Sequence, residues 1–221
     1  MDLIKHRDLF DPSTIKEPIN IIGCGAIGSH LAELMVRLGL NDFHLFDFDI
    51  VEPKNLANQM FYHKHIGKPK VRAVAEQIQM VNPEAKITLY EEGYTDQELK
   101  GYVFLAVDNI ELRLKICKDQ EYNLNVLAMF DFRMRLTDAQ HYAANWRDRK
   151  QMVNLMKTMN FTHDEASEAT PVNACGSTLS IIPTIKVITS EGMVNFINFI
   201  NNGRLHQTIL IDAFNYSILA M

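Results

Sequence analysis

Short apolar runs and amphipathic stretches alternate along the first part of the chain. The apolar runs predict strands at residues 19–22, 43–48, 85–90, 102–107 and 126–130. Apolar residues at helical spacing predict helices at residues 29–38, 70–81 and 111–121. Since strands and helices alternate, we expect parallel strands joined by crossover helices. The predicted fold is therefore α/β, with a Rossmann-like, doubly wound and mostly parallel sheet.

The last third of the sequence has a different pattern. Residues 131–174 are rich in polar and charged side chains, with one predicted helix at 149–159, and we expect them to cross the face of the sheet outside the core. Residues 175–200 predict a buried helical region that is interrupted near Pro183 and Gly192. Two C-terminal antiparallel strands are predicted at residues 207–211 and 215–219.

The composition is that of an ordinary folded protein, since 47% of the 221 residues are hydrophobic and 22% are charged. A formal net charge of −5 gives no general attraction to polyanions, so neither nucleic acid nor a membrane is an expected partner. No apolar stretch reaches the roughly 18 residues that span a bilayer, and the N-terminus has no signal-peptide pattern. These features indicate a cytoplasmic protein.

The cysteines and histidines predict no structural metal site. Cys24, Cys117 and Cys175 are far apart in the sequence, which excludes a disulfide scaffold and a four-cysteine zinc site. His63 and His65 alone are a poor metal site, so no zinc is expected. Cys24 and Cys117 are expected to be packing residues.

The strongest chemical signal is a glycine motif between the first predicted strand and the first predicted helix. It comprises Gly23, Gly25 and Gly28, with Ala26 and Ile27 between the last two. Glycines at these positions let the backbone approach a phosphate, and the helix N-terminus adds N–H groups and a positive dipole. Similar glycines occur in tight turns that bind nothing, but the strand and helix on either side favour a nucleotide site.

Further motifs follow the glycine turn in a fixed order. They are Asp47-Phe-Asp49, Asn55-Leu-Ala-Asn58-Gln59, Gly67-Lys-Pro-Lys70, Val107-Asp108-Asn109 with Arg113 after it, and Phe132-Arg133-Met134. Asp47 ends a predicted strand, where a carboxylate accepts hydrogen bonds from ribose hydroxyls. With the glycine turn, this order resembles the ThiF/MoeB superfamily, the adenylyltransferases related to ubiquitin-activating enzymes. The resemblance covers residues 18–135.

The resemblance implies a single ThiF-type adenylation domain over residues 1–221. Its expected parts are a nucleotide-binding core at 18–135, a crossover at 136–174 and a C-terminal helix and strands at 175–221. The implied reaction uses ATP and Mg²⁺ to activate the C-terminal carboxylate of a ubiquitin-like or sulfur-carrier protein as an acyl adenylate. Lys70 would clamp the phosphates and Asp108 would bind Mg²⁺. The implied nucleotide-binding residues are the glycine turn, Asp47, Asp49, Asn55, Asn58, Gln59 and Lys70.

One position departs from the family pattern. The superfamily usually has arginine immediately before the glutamine of its Asn-Leu-x-Arg-Gln step, and this chain has Asn58 there. Asparagine brings no positive charge to the phosphates. Arg7 is a candidate substitute, because relatives use an N-terminal arginine that reaches the ATP site of a neighbouring subunit. We therefore expect a homodimer, although a surface role for Arg7 is equally compatible with the sequence.

Cys175 has two interpretations. The preceding Pro171-Val-Asn-Ala and the predicted helix after it place the thiol at a helix N-terminus, which lowers a thiol pKa and favours a nucleophile that takes the acyl group. The following Gly176-Ser177 departs from the family's Cys-Thr step and favours a buried structural thiol.

Two other functions are compatible with the sequence. A non-catalytic partner subunit of an activating enzyme is favoured by Asn58 but disfavoured by the retained glycines, Lys70 and Asp108. A relative that adenylates a non-protein substrate, such as modified tRNA, is disfavoured by the acidic chain.

Overall fold

The computed structural model describes residues 2–162, 165 and 179–221. Its strands are β1 (Ile19–Ile22), β2 (Asp42–Phe46), β3 (Lys86–Tyr90), β4 (Gly101–Leu105), β5 (Val126–Met134), β6 (Asp138–Asn145), β7 (Thr208–Asp212) and β8 (Ser217–Ala220). Its α-helices are α1 (Ala26–Arg37), α2 (Lys70–Val81), α3 (Ile110–Asp119), α4 (Arg149–Lys157) and α5 (Ile182–Asn202). Short 3₁₀ turns lie at Pro12–Thr14, Pro53–Ala57 and His63–His65.

The strands form one sheet in the order β3-β2-β1-β4-β5-β6-β7-β8. The first five strands of that order are parallel, and β6, β7 and β8 continue the sheet antiparallel. The chain builds outward from β1 to β3 and then returns to the other side of β1 with β4. The neighbouring ends of β1 and β4 are therefore the point where ligands bind in doubly wound sheets. The predicted fold class, including the C-terminal antiparallel strands, is confirmed.

Helices cover both faces of the sheet. One core lies between the sheet and α1, α2 and α5, and a second core lies between the sheet and α3 and α4. Successive residues of β4 point to opposite faces, so Phe104 is in the first core and Val103 and Leu105 are in the second. Phe196 of α5 packs edge-on against Phe104 and Phe130, with ring centroids 5.5 Å from each.

The prediction that residues 131–174 lie outside the core is wrong for their first part. β5 continues past its predicted end to Met134, and residues Ala139 to Asn145 of β6 pair with it. Polar residues such as Asp131 and His141 made this segment resemble an exposed one in the sequence. In the structure both side chains are completely buried. Burial of such side chains requires partners from elsewhere in the fold. The predicted helix at 149–159 is confirmed as α4.

The predicted interruptions of the C-terminal helix are also wrong, because α5 is continuous from Ile182 to Asn202. Pro183 lies in the first turn, where a missing N–H costs no helical hydrogen bond. Gly192 lies against the ring of Phe132, and a Cβ atom there would overlap that ring. Glycine thus allows close packing of α5 on β5 instead of ending the helix. In the part of the chain that the structure describes, no helix is long and apolar enough to cross a membrane.

Candidate functional site

A cavity of about 660 Å³ opens at the carboxyl ends of the parallel strands. Gly23, which follows β1, and Asp108, which follows β4, both lie on its wall. The cavity extends from the glycine turn to the ends of β5 and β6, where Arg133 and Gln140 line it. The cavity thus lies where the chain changes direction across the sheet, between β1 and β4. Doubly wound sheets bind their ligands at this point.

The glycine turn is shaped by close contacts of its backbone. Gly23 has a φ of +96°, and a Cβ atom there would approach the carbonyl carbon of Ala106 to 2.7 Å. A Cβ atom on Gly28 would overlap the carbonyl oxygen of Gly23. Beside Gly25 there is open space, and α1 begins immediately after it at Ala26. The turn therefore presents the unpaired N–H groups of the first helical turn to the cavity.

Asp47 braces the turn from the neighbouring strand. Its Oδ2 accepts a hydrogen bond from the N–H of Cys24 at 2.7 Å, and its Oδ1 accepts one from the N–H of Asp49 at 2.8 Å. Burial raises the pKa of Asp47, while Lys70 and these two hydrogen bonds oppose the rise. Each oxygen keeps a second lone pair, so the carboxylate can still accept a hydrogen bond from a ligand.

Lys70 is the first residue of α2 and is only 8% exposed. Its Nζ donates to Oδ2 of Asp49 at 2.6 Å, and its own backbone N–H donates to the carbonyl oxygen of Asp49 at 2.9 Å. Both side chains lie on the cavity wall. The structure thus brings together the predicted residues 47, 49 and 70 beside the glycine turn.

The polar residues of the Asn-Leu-Ala-Asn-Gln motif differ in their position relative to the cavity. Asn55 lies off the cavity wall, and its Oδ1 accepts a hydrogen bond from the N–H of Glu52 at 2.8 Å, which caps the 3₁₀ turn. Asn58 and Gln59 lie on the wall. Asn58 donates through Nδ2 to the hydroxyl of Ser180, just before α5. The side-chain oxygens of Asn58 and Gln59 are buried and have no partner in the described part of the chain.

Asp108 lies on the opposite wall, at the end of β4, and is exposed. The N-cap of α3 is the next residue, Asn109, whose Oδ1 accepts from the N–H of Leu112 at 2.7 Å. The Asp108 carboxylate is therefore not used as the helix cap. Among the described residues no group of three or more His, Cys, Asp or Glu side chains is arranged to hold a metal ion.

The far end of the cavity is built on a buried charge cluster that the sequence analysis did not anticipate. Asp131 of β5 accepts hydrogen bonds from Arg113 of α3 and from Arg133 of the same strand. Arg113 also donates to the carbonyl oxygen of Val107, directly before Asp108. Burial lowers the pKa of Arg113 to about 9 and that of Arg133 to about 10. Arg113 therefore ties the segment that carries Asp108 to β5.

Arg133 is held by further contacts. Its NH1 and NH2 donate to the carbonyl oxygen and hydroxyl of Thr158, each at 2.8 Å, and its guanidinium lies 4.6 Å from the ring centroid of Tyr142. The resemblance had singled out Arg113 and Arg133 only as motif positions. The sequence did contain one signal for this part of the site. Asp131 and Arg133 have opposite charges and are two residues apart, which places them on the same face of a strand.

Arg7, like Asn55, lies away from the cavity. Arg7 is paired with Asp11 at 3.8 Å and is off the cavity wall. The neighbouring His6 contacts the carbonyl oxygen of Leu38 at the end of α1 that is remote from the glycine turn. Cys175 lies outside the described residues. The predicted packing roles of Cys24 and Cys117 are confirmed, since both thiols are buried and burial raises their pKa.

Comparisons with known proteins agree with this architecture. The chain is 33% identical over 119 residues to ubiquitin-like modifier-activating enzyme 5 of Bombyx mori, covering 46% of this chain and 30% of that enzyme. It is 27% identical over 117 residues to tRNA threonylcarbamoyladenosine dehydratase of Haemophilus influenzae, covering 48% of this chain and 45% of that enzyme. The chain thus matches less than half the length of these curated relatives.

Solved structures share the fold. E. coli MccB, solved with ATP, superposes with a TM-score of 0.70 at 18% sequence identity, over 95% of this chain and 65% of that one. PaaA superposes with a TM-score of 0.68 at 15% identity. The sequence model of the ThiF family matches residues 16–210. This match spans most of the sheet together with the glycine turn and the cavity, and the chain belongs to the ThiF family.

Proposed function

We propose that this protein is an ATP-dependent adenylyltransferase that activates the C-terminal carboxylate of a small ubiquitin-like or sulfur-carrier protein. The observation that carries the proposal is the convergence of the glycine turn, Asp47, Lys70 and Asp108 on one cavity. Two comparisons support it: the structural relative MccB was solved with ATP, and the Bombyx mori relative is named for activation of a ubiquitin-like modifier.

In the proposed reaction a carboxylate oxygen of the substrate attacks the α-phosphorus of ATP. A new C–O–P bond forms, the bond from that phosphorus to the bridging oxygen breaks, and pyrophosphate leaves with the electron pair. No proton is transferred, because a chain-terminal carboxyl is already ionised at neutral pH. The main barrier is the approach of two anions, so the site must neutralise charge and align the reacting atoms.

The residues present match these requirements. The N–H groups at the start of α1 bind phosphate oxygens, and the free lone pairs of Asp47 accept hydrogen bonds from the ribose. Lys70 shares its ammonium between Asp49 and a phosphate oxygen, which places a fixed positive charge beside the triphosphate. Asn58 and Gln59 face the same space with uncharged amides.

The chemistry of Asp108 fits Mg²⁺. Its carboxylate is exposed on the cavity wall and receives no hydrogen bond from the described residues. Mg²⁺ prefers one or two carboxylates together with water and phosphate oxygens, so a single aspartate is sufficient on the protein side. When bound, the ion would neutralise charge on the phosphates. Asp108 would hold it, and Arg113 positions Asp108 through the carbonyl of Val107.

We also propose a homodimer in which Arg7 acts on the site of the second copy. Within one chain, α1 lies between the contact of His6 with Leu38 and the glycine turn. A helix of 12 residues is about 18 Å long, so Arg7 does not reach the cavity of its own chain. Mixing Arg7→Ala chains with Lys70→Ala chains should restore part of the activity through hybrid sites. Absence of any recovery, after subunit mixing is demonstrated, would limit Arg7 to a structural role.

Exchange of labelled pyrophosphate into ATP tests the reaction. We expect exchange when the wild-type protein receives a small carrier protein that ends in Gly-Gly, and none with the same carrier lacking its last glycine. Exchange with a modified tRNA in place of the carrier would instead indicate the non-protein substrate. Binding of ATP without exchange for either substrate would indicate a non-catalytic partner subunit.

Since ATP is the substrate, we propose that the protein acts in the cytoplasm.

Replacement of Cys175 separates its two predicted roles. If the thiol takes the acyl group, Cys175→Ala keeps pyrophosphate exchange, because adenylation comes first, but loses a reductant-sensitive adduct with the carrier. If the thiol is structural, the variant forms the same products as the wild type with a modest loss of stability.

A further inference from the structure

The basic residues on the cavity wall differ in how they are paired. Within the described part of the chain they are Lys70, Arg113, Arg133 and Arg135. Lys70 is paired with Asp49, while Arg113 and Arg133 share one buried carboxylate. Much of the positive charge of these three is therefore neutralised inside the protein before a ligand arrives. The exception is Arg135.

Arg135 follows directly after β5. Its backbone N–H donates to the carbonyl oxygen of Asp138 at 2.8 Å, which fixes the turn into β6. The side chain is exposed, and no described carboxylate lies within salt-bridge distance of its guanidinium. The backbone of Arg135 is thus held in place while its charge is available.

Arg135 lies on the cavity wall, directly after the end of β5. Arg133, two residues earlier, lies on the same wall. Arg133 is anchored by the buried carboxylate and by Thr158, so it does not move without breaking several hydrogen bonds. Among the described residues Arg135 has none of these anchors, so its guanidinium is available to a ligand.

We propose that Arg135 binds the phosphates of the nucleotide in this cavity and supplies the charge that Asn58 does not. This inference rests on the proposed function, because it concerns how the same site holds ATP. A guanidinium suits the role, since its planar fork can donate two hydrogen bonds to one phosphate group. Asn58 lies on the same wall but is uncharged and already donates to Ser180.

The test compares the affinities of ATP and adenosine for Arg135→Ala, measured by isothermal titration calorimetry with Mg²⁺. We expect ATP affinity to fall about 10- to 100-fold, as for loss of a charge-assisted hydrogen bond, while adenosine affinity and the melting temperature stay at wild-type values. Arg135→Lys should recover part of the loss because it keeps the charge. ATP binding by Arg135→Ala should also depend less steeply on salt concentration.

The matched control is Arg147→Ala. Arg147 is also an exposed arginine without a described carboxylate partner, but it lines a separate cavity with Tyr102 and Leu127 at the amino ends of β4 and β5. Its replacement should leave both affinities unchanged. If the wild type binds ATP and Arg135→Ala binds it within twofold as tightly, the role of Arg135 is refuted and the proposed function stands. If the wild type does not bind ATP, both are refuted.

Discussion

The two ends of the cavity are built in different ways. At the glycine-turn end, Asp47 and Asp49 are bonded to neighbouring backbone N–H groups or to Lys70, and both carboxylates reach the cavity. At the β5–β6 end, Asp131 is completely buried and its charge is compensated inside the protein by Arg113 and Arg133. The first end offers groups to a ligand, whereas the second mainly holds the sheet and α3 together. Substitutions at the two ends should therefore affect different measurements.

The largest effect on stability is expected from Asp131→Ala. The change leaves Arg113 buried without its carboxylate, and breaking a buried ion pair on one side costs about 3–5 kcal/mol. Urea unfolding should show this loss in the free energy of unfolding. Asp138→Ala is the control, because Asp138 also lines the cavity but is partly exposed, and we expect a change of no more than about 0.5 kcal/mol. Equal stability of the two variants would contradict a structural role for the cluster.

The glycine-turn end should respond in the opposite way. Lys70→Met keeps most of the buried side-chain volume but removes the ammonium, so we expect substrate-dependent pyrophosphate exchange to fall about 10²- to 10³-fold with little change in melting temperature. Lys68→Met is the matched control, since Lys68 is more exposed and is paired with Glu76 at 2.6 Å. Exchange by Lys70→Met at the level of Lys68→Met would show that Lys70 is not a phosphate ligand.

A pH dependence of stability should arise beside the charge cluster. Burial lowers the pKa of His141 to about 3, and its Nδ1 lies 3.1 Å from the carbonyl oxygen of Asp131. In the unfolded chain the pKa is about 6.5, so below that pH only the unfolded state gains the proton. The free energy of unfolding should fall by about 2 kcal/mol from this group between pH 7 and pH 5, and remain constant above pH 7.5.

The variant His141→Asn isolates this contribution. It is less stable at pH 7, because contacts with Asp131 and Asn195 are lost, but its stability should vary less with pH than that of the wild type. Other histidines with lowered pKa values, such as His30 and His65, are present in both proteins and cancel in the comparison. The same pH slope in both proteins would mean that His141 is protonated in the folded state.

The difference between the two ends also explains why the sequence predicted the glycine-turn end of the cavity and not the β5–β6 end. Gly23, Asp47 and Lys70 lie in motifs that follow strands or begin a helix, so local pattern and topology were enough to place them on one edge of the sheet. The parallel part of the fold was predictable for the same reason. β1 and β4, at its centre, are short and mostly apolar runs that are buried along their whole length.

The β5–β6 end was not predictable from local pattern. Asp131 is tolerated in a buried strand because α3, earlier in the sequence, supplies Arg113 to it and β5 itself supplies Arg133. Likewise, Gly192 is a helix breaker by propensity but faces Phe132 at a close helix–strand contact. In both cases a tertiary contact overrides the local preference, and a single sequence does not reveal it.

Binding of ATP at the glycine-turn end is tested most directly by titration calorimetry of the wild-type protein with ATP and Mg²⁺, with NAD as the comparison. We expect saturable binding of ATP and none of NAD, because Lys70 and Asp108, which we propose as the phosphate and metal ligands, lie on the cavity wall. At an ATP concentration of 100 times the dissociation constant, the stability of the protein should also rise by about 2.7 kcal/mol. Saturable binding of NAD without binding of ATP would contradict an ATP site in this cavity.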